Sequence, residues 1–582
     1  MNKRLKNKYS FLEDALETFA TFISGTWAIL LIVTTFLFIL KIPMSILNII
    51  FSISASLVFV SWYAISNFKN SFWILLITLL LFCLTFIPAI FFSGKIYDLS
   101  YDGQAYHQEA IVQLTHGWNP VYKTLEHEAT ANLERWLNHY PKAVWILSTG
   151  IYELTGNIES GKAPSMFIGI LAVAYILWAL WKVQIPLFFK ILGSIVLSIN
   201  PVFIYQSLSF YLDGIMVSLL LSLIAICFKI LTENKKRYIY PFLSVFIVLL
   251  NIKLSAPVFA FIIVGGFISY LWLNNRPFPA LRLVKYLFIG SLIGLVMVGY
   301  NPYITNFARY GHPLYPAMGK NAYDYVPMNT PENYWKIPPV ARLFSSIFSV
   351  SSLARGQGQF AKFKIPFTFT SEELDAFHET NAKTGGFGPE FGGIFAFTIT
   401  AVLIYFVFDW GKHSSIKVKE PEFNRVLFSS KKVTSEKIGL LFIILAIIGS
   451  ASLVDTSSVA RFVPYVWWFP GIAALFLASR RNIYGVSSGF LILFLSIFNL
   501  TLIASSYFPY NISGSEKLKK QLETIHQKQS SLPMKIDFAQ FGSTKLKLAN
   551  YQIRYEEVYS FTSCTKRKRI LMYNISELCE TP

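Results

Sequence analysis

Long apolar runs separated by short polar breaks occupy most of this chain, and they are longer than the buried elements of a soluble core. They fall at about 22–40, 44–65, 71–92, 164–183, 186–206, 210–231, 239–252, 254–273, 283–302, 392–409, 438–454, 462–479 and 483–507. Most are long enough to cross roughly 30 Å of hydrocarbon as a helix. The pattern predicts an all-α polytopic membrane protein with about thirteen transmembrane helices and no internal repeat. Residues 1–507 then form the membrane domain, interrupted by two long loops at 93–163 and 303–391. Residues 508–582 lose the apolar pattern. A helix is expected over Ser515–Gln529, and the alternation in Lys545-Leu546-Lys547-Leu548 and Tyr551-Gln552-Ile553-Arg554-Tyr555 predicts short strands, giving a small α/β tail.

Composition agrees with this class, because a chain that is 54% hydrophobic and 14% charged carries more apolar surface than one soluble core covers. The net charge of +19 would suit nucleic acid, but the positions of the cations give it another meaning. Lys3, Arg4, Lys6 and Lys8 precede the first helix, Lys235, Lys236 and Arg237 follow the sixth, and Arg276, Arg282 and Lys285 follow the eighth. Seven basic residues from Lys412 to Lys437 follow the tenth, and Arg480 and Arg481 the twelfth. All fall on one side, which the positive-inside bias makes the cytoplasm. The expected location is a bacterial inner membrane, with the N-terminus cytoplasmic and residues 93–163, 303–391 and 508–582 outside. The bilayer is the expected partner, and no nucleic acid is called for. Met1–Ser10 is basic, but a polar, acidic stretch through Glu17 precedes the first apolar run, so no signal peptide is expected.

Charge also singles out one outer segment. Residues 93–163 hold five basic and eight acidic groups, net −3, whereas the tail holds twelve basic and seven acidic, net +5. Cys564 and Cys579 both lie in that tail, where an oxidising compartment would allow a disulfide and two free thiols are the alternative. Cys83 and Cys227, inside apolar runs, are expected to be buried.

The acidic loop begins Tyr97-Asp98-Leu99-Ser100-Tyr101-Asp102-Gly103-Gln104-Ala105-Tyr106-His107-Gln108-Glu109. Asp98 and Asp102 are four apart, so a helical turn there would put both carboxylates on one face, with Tyr106 and Glu109 extending it. A carboxylate partly desolvated by tyrosines at a membrane boundary is a candidate general base toward a hydroxyl, or a ligand for a divalent cation. The bland alternative is that the aspartates cap a helix from Gly103 to Leu114. His107, His116, His127 and His139 are spaced by nine, eleven and twelve residues, which matches no compact zinc motif. His139-Tyr140-Pro141-Lys142 offers a ring and a cation to a phosphate, or an interfacial anchor.

Further candidates lie at the outer ends of later helices. Asn200-Pro201 interrupts the fifth helix and Asp213 begins the sixth, where a boundary acid either lines a cavity or caps. Lys253 sits in a tight outer turn against the bias that keeps lysine inside. The loop 303–391 runs from Arg309-Tyr310-Gly311-His312-Pro313-Leu314-Tyr315-Pro316 to the glycine-rich Gly385–Gly393, and a loop of this length suits a lid or binding element. Arg461, in Ala460-Arg461-Phe462-Val463-Pro464, suits an anionic lipid headgroup.

An acidic motif in the first large outer loop, a proline-bearing start to the next helix, the Arg309–Pro316 segment and the Ala460–Pro464 element together resemble the GT-C glycosyltransferases. Relatives include lipid A aminoarabinose transferases and protein O-mannosyltransferases. The likeness covers about residues 71–507 as architecture and is specific only at these short stretches. The chain differs in having two extra helices before the motif and Asp102-Gly103 where the family has Asp-Glu. The resemblance implies a GT-C-like fold and a sugar carried on polyprenyl phosphate, transferred outside the cytoplasm to a glycan, lipid or protein acceptor. It implies inverting transfer with Asp102 as base and Asp98 as supporting acid. Lys253, Arg309, Arg461 and Lys142 are its candidates to stabilise the leaving phosphate, with His139, Asp213, Tyr106 and His107 lining the donor site. No cofactor is called for; some relatives use a divalent cation, but no metal-ligand set is legible here. Two other classes stay open, a polysaccharide polymerase or O-antigen ligase and a lipid-linked sugar flippase or transporter. The first typically relies on a late loop, and the second favours repeated halves.

Overall fold

The computed structural model describes residues 3–126, 133–320, 322–409, 446, 449–451, 453–480, 482–529, 532–559, 561, 564, 567–570 and 574–579. His127, the basic loop 412–437, most of the helix expected at 438–454, and Arg481 lie outside the described residues. Helices α1 (Lys3–Ile39), α2 (Ile46–Asn67) and α3 (Ser71–Lys95) open the bundle. The first long loop carries α4 (Gln108–Thr115) and α5 (Ala143–Thr155). Then come α6 (Pro164–Leu180), α7 (Leu187–Ser198), α8 (Asp213–Glu233), α9 (Ile239–Leu250), α10 (Ala256–Leu273) and α11 (Pro277–Ser291). The second long loop leads to α12 (Phe391–Asp409), and α13 (Trp468–Ser479) and α14 (Ile483–Gln527) close the bundle.

Eight of these helices, α1, α2, α3, α6, α8, α10, α11 and α14, are long and apolar enough to cross a membrane once the turns extending α6 and α11 are included; α7, α12 and α13 are shorter apolar helices. The chain is a multi-pass membrane protein, with eight such helices among the described residues against the thirteen spans expected. Burial ranks them: 89% of the apolar window of α8 is buried against 17% of that of α3, so α8 is the axis of the bundle and α3 faces lipid. Cys83 on α3 is therefore exposed rather than buried, whereas Cys227 on α8 is buried as expected.

The sequence and the structure part company at both ends. The polar stretch before residue 22 continues α1 rather than preceding it, because its acids find cations inside. Glu17 accepts two bonds from Arg237, at 2.7 and 2.8 Å, and one from the Trp178 indole at 3.1 Å. Glu13 meets Lys229 at 2.6 Å, and Lys229 also meets Glu233 at 2.5 Å. Paired in this way, buried charges are tolerated; singly they are not. At the other end α14 runs straight through residue 508 to Gln527, so the helix expected at Ser515–Gln529 is its last part and the tail's own fold starts beyond it.

That fold is a four-stranded sheet in the order β2-β1-β4-β3, with β1 (Met534–Asp537) parallel to β2 (Tyr555–Glu557) and antiparallel to β4 (Glu577–Cys579), which is antiparallel to β3 (Arg567–Arg569). The expected strand at Lys545–Leu548 is instead part of α15 (Thr544–Asn550), the crossover between β1 and β2. Its buried residues Thr544, Lys547 and Leu548 follow helical spacing, and alternation misled because Lys547 is an inward lysine. A Cys564–Cys579 disulfide, with Cα atoms 5.8 Å apart, ties the sheet to the chain before β3.

The tail shares a core with the membrane domain, since Ile536, Phe538, Leu548 and Leu578 pack with Leu518 and Leu522 of α14 and with Leu99 of the first loop. Ser543 donates to the Gln104 carbonyl at 2.8 Å, and the Lys547 ammonium donates to Gln104 Oε1 at 3.2 Å and lies 3.8 Å from Glu159. Phe541 meets the Tyr101 ring edge-on at 5.4 Å. The tail thus grips the segment that carries Asp102. Lys547→Met keeps the buried stem and removes the donor, leaving Gln104 and Glu159 short of a partner. It should destabilise the protein by about 1–3 kcal/mol, read as a lower melting temperature in detergent or nanodiscs; no change would show that the grip is not energetic.

Candidate active site

Beyond α3 the chain runs extended through Asp98 and then turns into a wide helical turn, Gly103–His107, that leads into α4. Asp98 is completely buried. Its Oδ1 accepts the Ser100 amide at 2.8 Å and its Oδ2 accepts the Phe210 amide at 2.9 Å, which joins the first loop to the segment before α8. Its own amide donates to Glu159 at 2.9 Å. Burial, with the Glu159 charge, pushes the Asp98 carboxyl up to about 6, against the pull of Lys162 and Ser100. Both oxygens are occupied by backbone, so Asp98 fixes the loop. Glycine follows Asp102 for the same reason: a Cβ at Gly103 would lie 1.9 Å from Asp98 Oδ2 and 2.4 Å from Ser100 Oγ.

Asp102 is different, with its side chain 24% exposed and 3.6 Å from Arg461 Nη1. The same Nη1 is 4.0 Å from Asp213 Oδ2. Asp213 Oδ1 is paired with Lys253, and Gln206 Nε2 donates to Asp213 Oδ2 at 3.1 Å. The structure therefore brings Asp102, Asp213, Lys253 and Arg461 together from four separate parts of the chain. Arg461 lies over the rings of Tyr211 and Phe462, at 5.2 and 4.7 Å, and its Nε is buried with no hydrogen-bond partner. Neither carboxylate contact of this guanidinium is at bonding distance, so it retains donors for a ligand.

A further lysine is electrostatically coupled to this group. Lys383 is buried, and its ammonium donates to Asn329 Oδ1 at 2.8 Å. Burial first, then Arg461 and Arg355, depress its affinity for a proton, while Asp102 and Glu379 oppose them. An anion placed nearby would favour its charged form. Sequence reasoning missed this lysine although it stands two residues before the Gly385-Gly386 pair that marked the loop. It also missed Gln206 and Tyr211, for which no signal existed beyond closeness to Asp213.

The remaining candidates fall into two sets. Tyr106 lines the same region, its ring 6.2 Å from both Trp136 and Tyr140, and burial holds the Tyr106 and Tyr140 phenols well above their ordinary range, hence neutral. His107 is buried behind it, and its Nδ1 accepts the Trp145 indole at 2.8 Å. Lys142, His139 and Arg309 do not join the cluster. Lys142 spends its three donors on Asn138 O, Tyr140 O and Asn301 Oδ1, at 3.1, 2.6 and 2.5 Å. His139 bonds Asn306 Oδ1 at 2.7 Å and packs edge-on against the stacked pair of Tyr310 and Tyr315, which clasps the start of the second loop. Arg309 is exposed on the helix Thr305–Tyr310 beyond that clasp. Among the described residues no group of three or more His, Cys, Asp or Glu side chains is arranged to hold a metal ion.

Two solved structures are similar to this chain. One is ArnT from Cupriavidus metallidurans in the apo state, at 14% identity and a TM-score of 0.38, over 82% of this chain and 85% of that one. The other is the same protein bound to undecaprenyl phosphate, at 11% identity and a TM-score of 0.36 over the same shares. No protein-family profile and no curated protein sequence matches the chain. A likeness of this degree carries no weight for the chemistry, which rests on the side chains above.

Two outcomes follow from the site's construction. Gly103→Ala drives a methyl group into the Asp98 carboxylate, so it should disturb the Asp102 turn and cut activity without unfolding the bundle. A fully active Gly103→Ala protein, checked by turnover alongside circular dichroism, would show that this packing is dispensable. Burial also holds the His107 and His139 imidazoles down at about 4 from an ordinary 6.5. Between those values the unfolded chain takes up protons that the folded chain refuses, so stability falls as pH is lowered through the window. The melting temperature should drop from pH 7 to pH 5, and drop less in His139→Gln. A parallel pH profile in that variant would contradict the buried, neutral ring.

Proposed function

We propose that the protein is a membrane glycosyltransferase that moves a sugar from a polyprenyl-phosphate donor to an acceptor hydroxyl, with Asp102 as general base. The observation that supports it most is the asymmetry of the acids. Asp98 has both oxygens on backbone amides and Asp213 is held by Lys253 and Gln206, so Asp102 alone of the three is part-exposed, with its cation 3.6 Å away. Arg461, 3.6 Å from Asp102, and Lys383, electrostatically coupled to both, are the groups we assign to the donor phosphate.

The step is a single displacement with inversion. The acceptor oxygen attacks the anomeric carbon, its proton passes to an Asp102 carboxylate oxygen, and the bond between that carbon and the phosphate oxygen breaks. The electron pair leaves on the lipid phosphate, whose growing charge Arg461 and Lys383 stabilise more than that of the bound donor. The Asp213–Lys253 pair holds Arg461 in place. The site belongs outside the cytoplasm on this proposal, which the tail's disulfide and the cation-rich opposite loops both support.

Purified protein in lipid, offered a panel of polyprenyl-phosphate sugars, tests this. Asp102→Asn should cost about 10²–10⁴-fold in kcat and leave donor binding nearly intact, whereas Lys383→Met should chiefly weaken binding of polyprenyl phosphate. Activity that survives Asp102→Asn would remove the base and favour a polymerase or ligase. Movement of an intact lipid-linked sugar with no transfer would replace the enzyme by a flippase.

A further inference from the structure

The second long loop carries a row of large apolar side chains that the described residues leave largely exposed. Phe360, Phe363, Ile365, Phe367 and Phe369 are between 41% and 76% exposed within ten residues. A floppy loop would not hold such a row in place, but this one is fastened at its base. Val350 donates to the Lys362 carbonyl at 2.8 Å and Lys364 to the Phe348 carbonyl at 3.0 Å, while the Lys364 ammonium pairs with Glu373 at 2.7 Å. The segment is a built projection with its apolar side turned outward.

Its position says what covers it. Phe367 adopts φ 62°, a left-handed conformation that bulky residues rarely take, and its ring lies over Gly393 so closely that a Cβ there would be 2.7 Å away. Gly393 is in the first turn of α12, whose Ile399, Leu403 and Val407 form an exposed apolar stripe at four-residue spacing. The projection therefore continues the face that α12 turns to lipid. Lys362, exposed among the phenylalanines, suits the phosphates of a headgroup layer.

We infer that residues 360–369 form a finger that inserts into the bilayer at the Phe391 end of α12, with its phenylalanines among the acyl chains and Lys362 at the headgroups. The occupant of this surface is membrane lipid, not a protein partner. The inference is independent of the reaction proposed above.

Single cysteines at Phe363 and Ile365, in a Cys83→Ser, Cys227→Ser background that keeps the disulfide, can be spin-labelled in nanodiscs of phosphatidylethanolamine and phosphatidylglycerol. Collisions with oxygen, which concentrates in lipid, are compared with collisions with a nickel chelate, which stays in water. Leu403→Cys on α12 supplies the lipid reference and Asp324→Cys, exposed in the same loop, the water reference. The oxygen-to-nickel ratio at the finger should shift away from the Asp324 value to that of Leu403. A ratio at both positions equal to that of Asp324 would overturn the inference. Phe360→Cys provides a further reading where a label at Ile365 disturbs folding.

Discussion

Charge buried inside an apolar bundle has to be matched, and this one requirement organises the molecule. A lone ion moved from water into a low-dielectric interior costs several kcal/mol even after relaxation, so most of the acids buried around α8 are met by a cation. Glu17 takes Arg237, Glu13 and Glu233 share Lys229, and Asp213 takes Lys253. Glu159 takes Lys162 at 2.6 Å and draws Lys547 in from the tail. Glu17–Arg237, Glu13–Lys229, Asp213–Lys253 and Glu159–Lys547 connect segments far apart in sequence, and they fix how those segments stand relative to one another. The matching is looser at Arg461, whose carboxylate contacts are 3.6 and 4.0 Å, and it is there that the proposed reaction puts the donor phosphate.

Much of the fold was legible because the bilayer imposes a length and a polarity that sequence cannot hide. The site was legible in part, and the reason differs from residue to residue. Lys253 and Arg461 announce themselves as cations in short turns beside apolar helices, and Asp102 follows a span directly. Asp98 looked like the twin of Asp102 because the two are four residues apart, but Asp98 lies before the helical turn begins, so helical spacing said nothing about its direction. His139 and Lys142 looked like phosphate ligands by composition, and only their long-range partners, Asn306 and Asn301, show that they are spent on structure. Lys383 and Lys547 were silent for the converse reason: a lysine in an outer loop gives no local sign that tertiary contacts will bury it.

The tail is best understood through the same contacts. Its helix α15 presents Lys547 to Glu159 and to Gln104, the residue after the glycine that packs on Asp98, so the sheet domain braces the loop that carries Asp102. A brace of this kind explains why a membrane protein carries a small disulfide-tied domain at the end of a 45-residue helix. The helix delivers the domain to the loop, and their shared apolar core holds it there.

The three acids nearest the site illustrate how environment assigns roles that residue type cannot. A base must accept a proton during the reaction and return it afterwards, which needs an oxygen lone pair that the fold has not already used. Asp98 gives its oxygens to two backbone amides, and protonating it would weaken the link between the first loop and the segment before α8. Asp213 gives one to Lys253 and one to Gln206, and protonating it would strand a lysine among apolar walls. Asp102 has the Arg461 guanidinium at 3.6 Å, beyond hydrogen-bonding distance, and the Tyr211 phenol as a hydrogen-bond partner. The fold spends two carboxylates on architecture and leaves the third, beside Gly103 and braced from behind, part-exposed next to Arg461 and Tyr211, which is the asymmetry the proposed reaction uses.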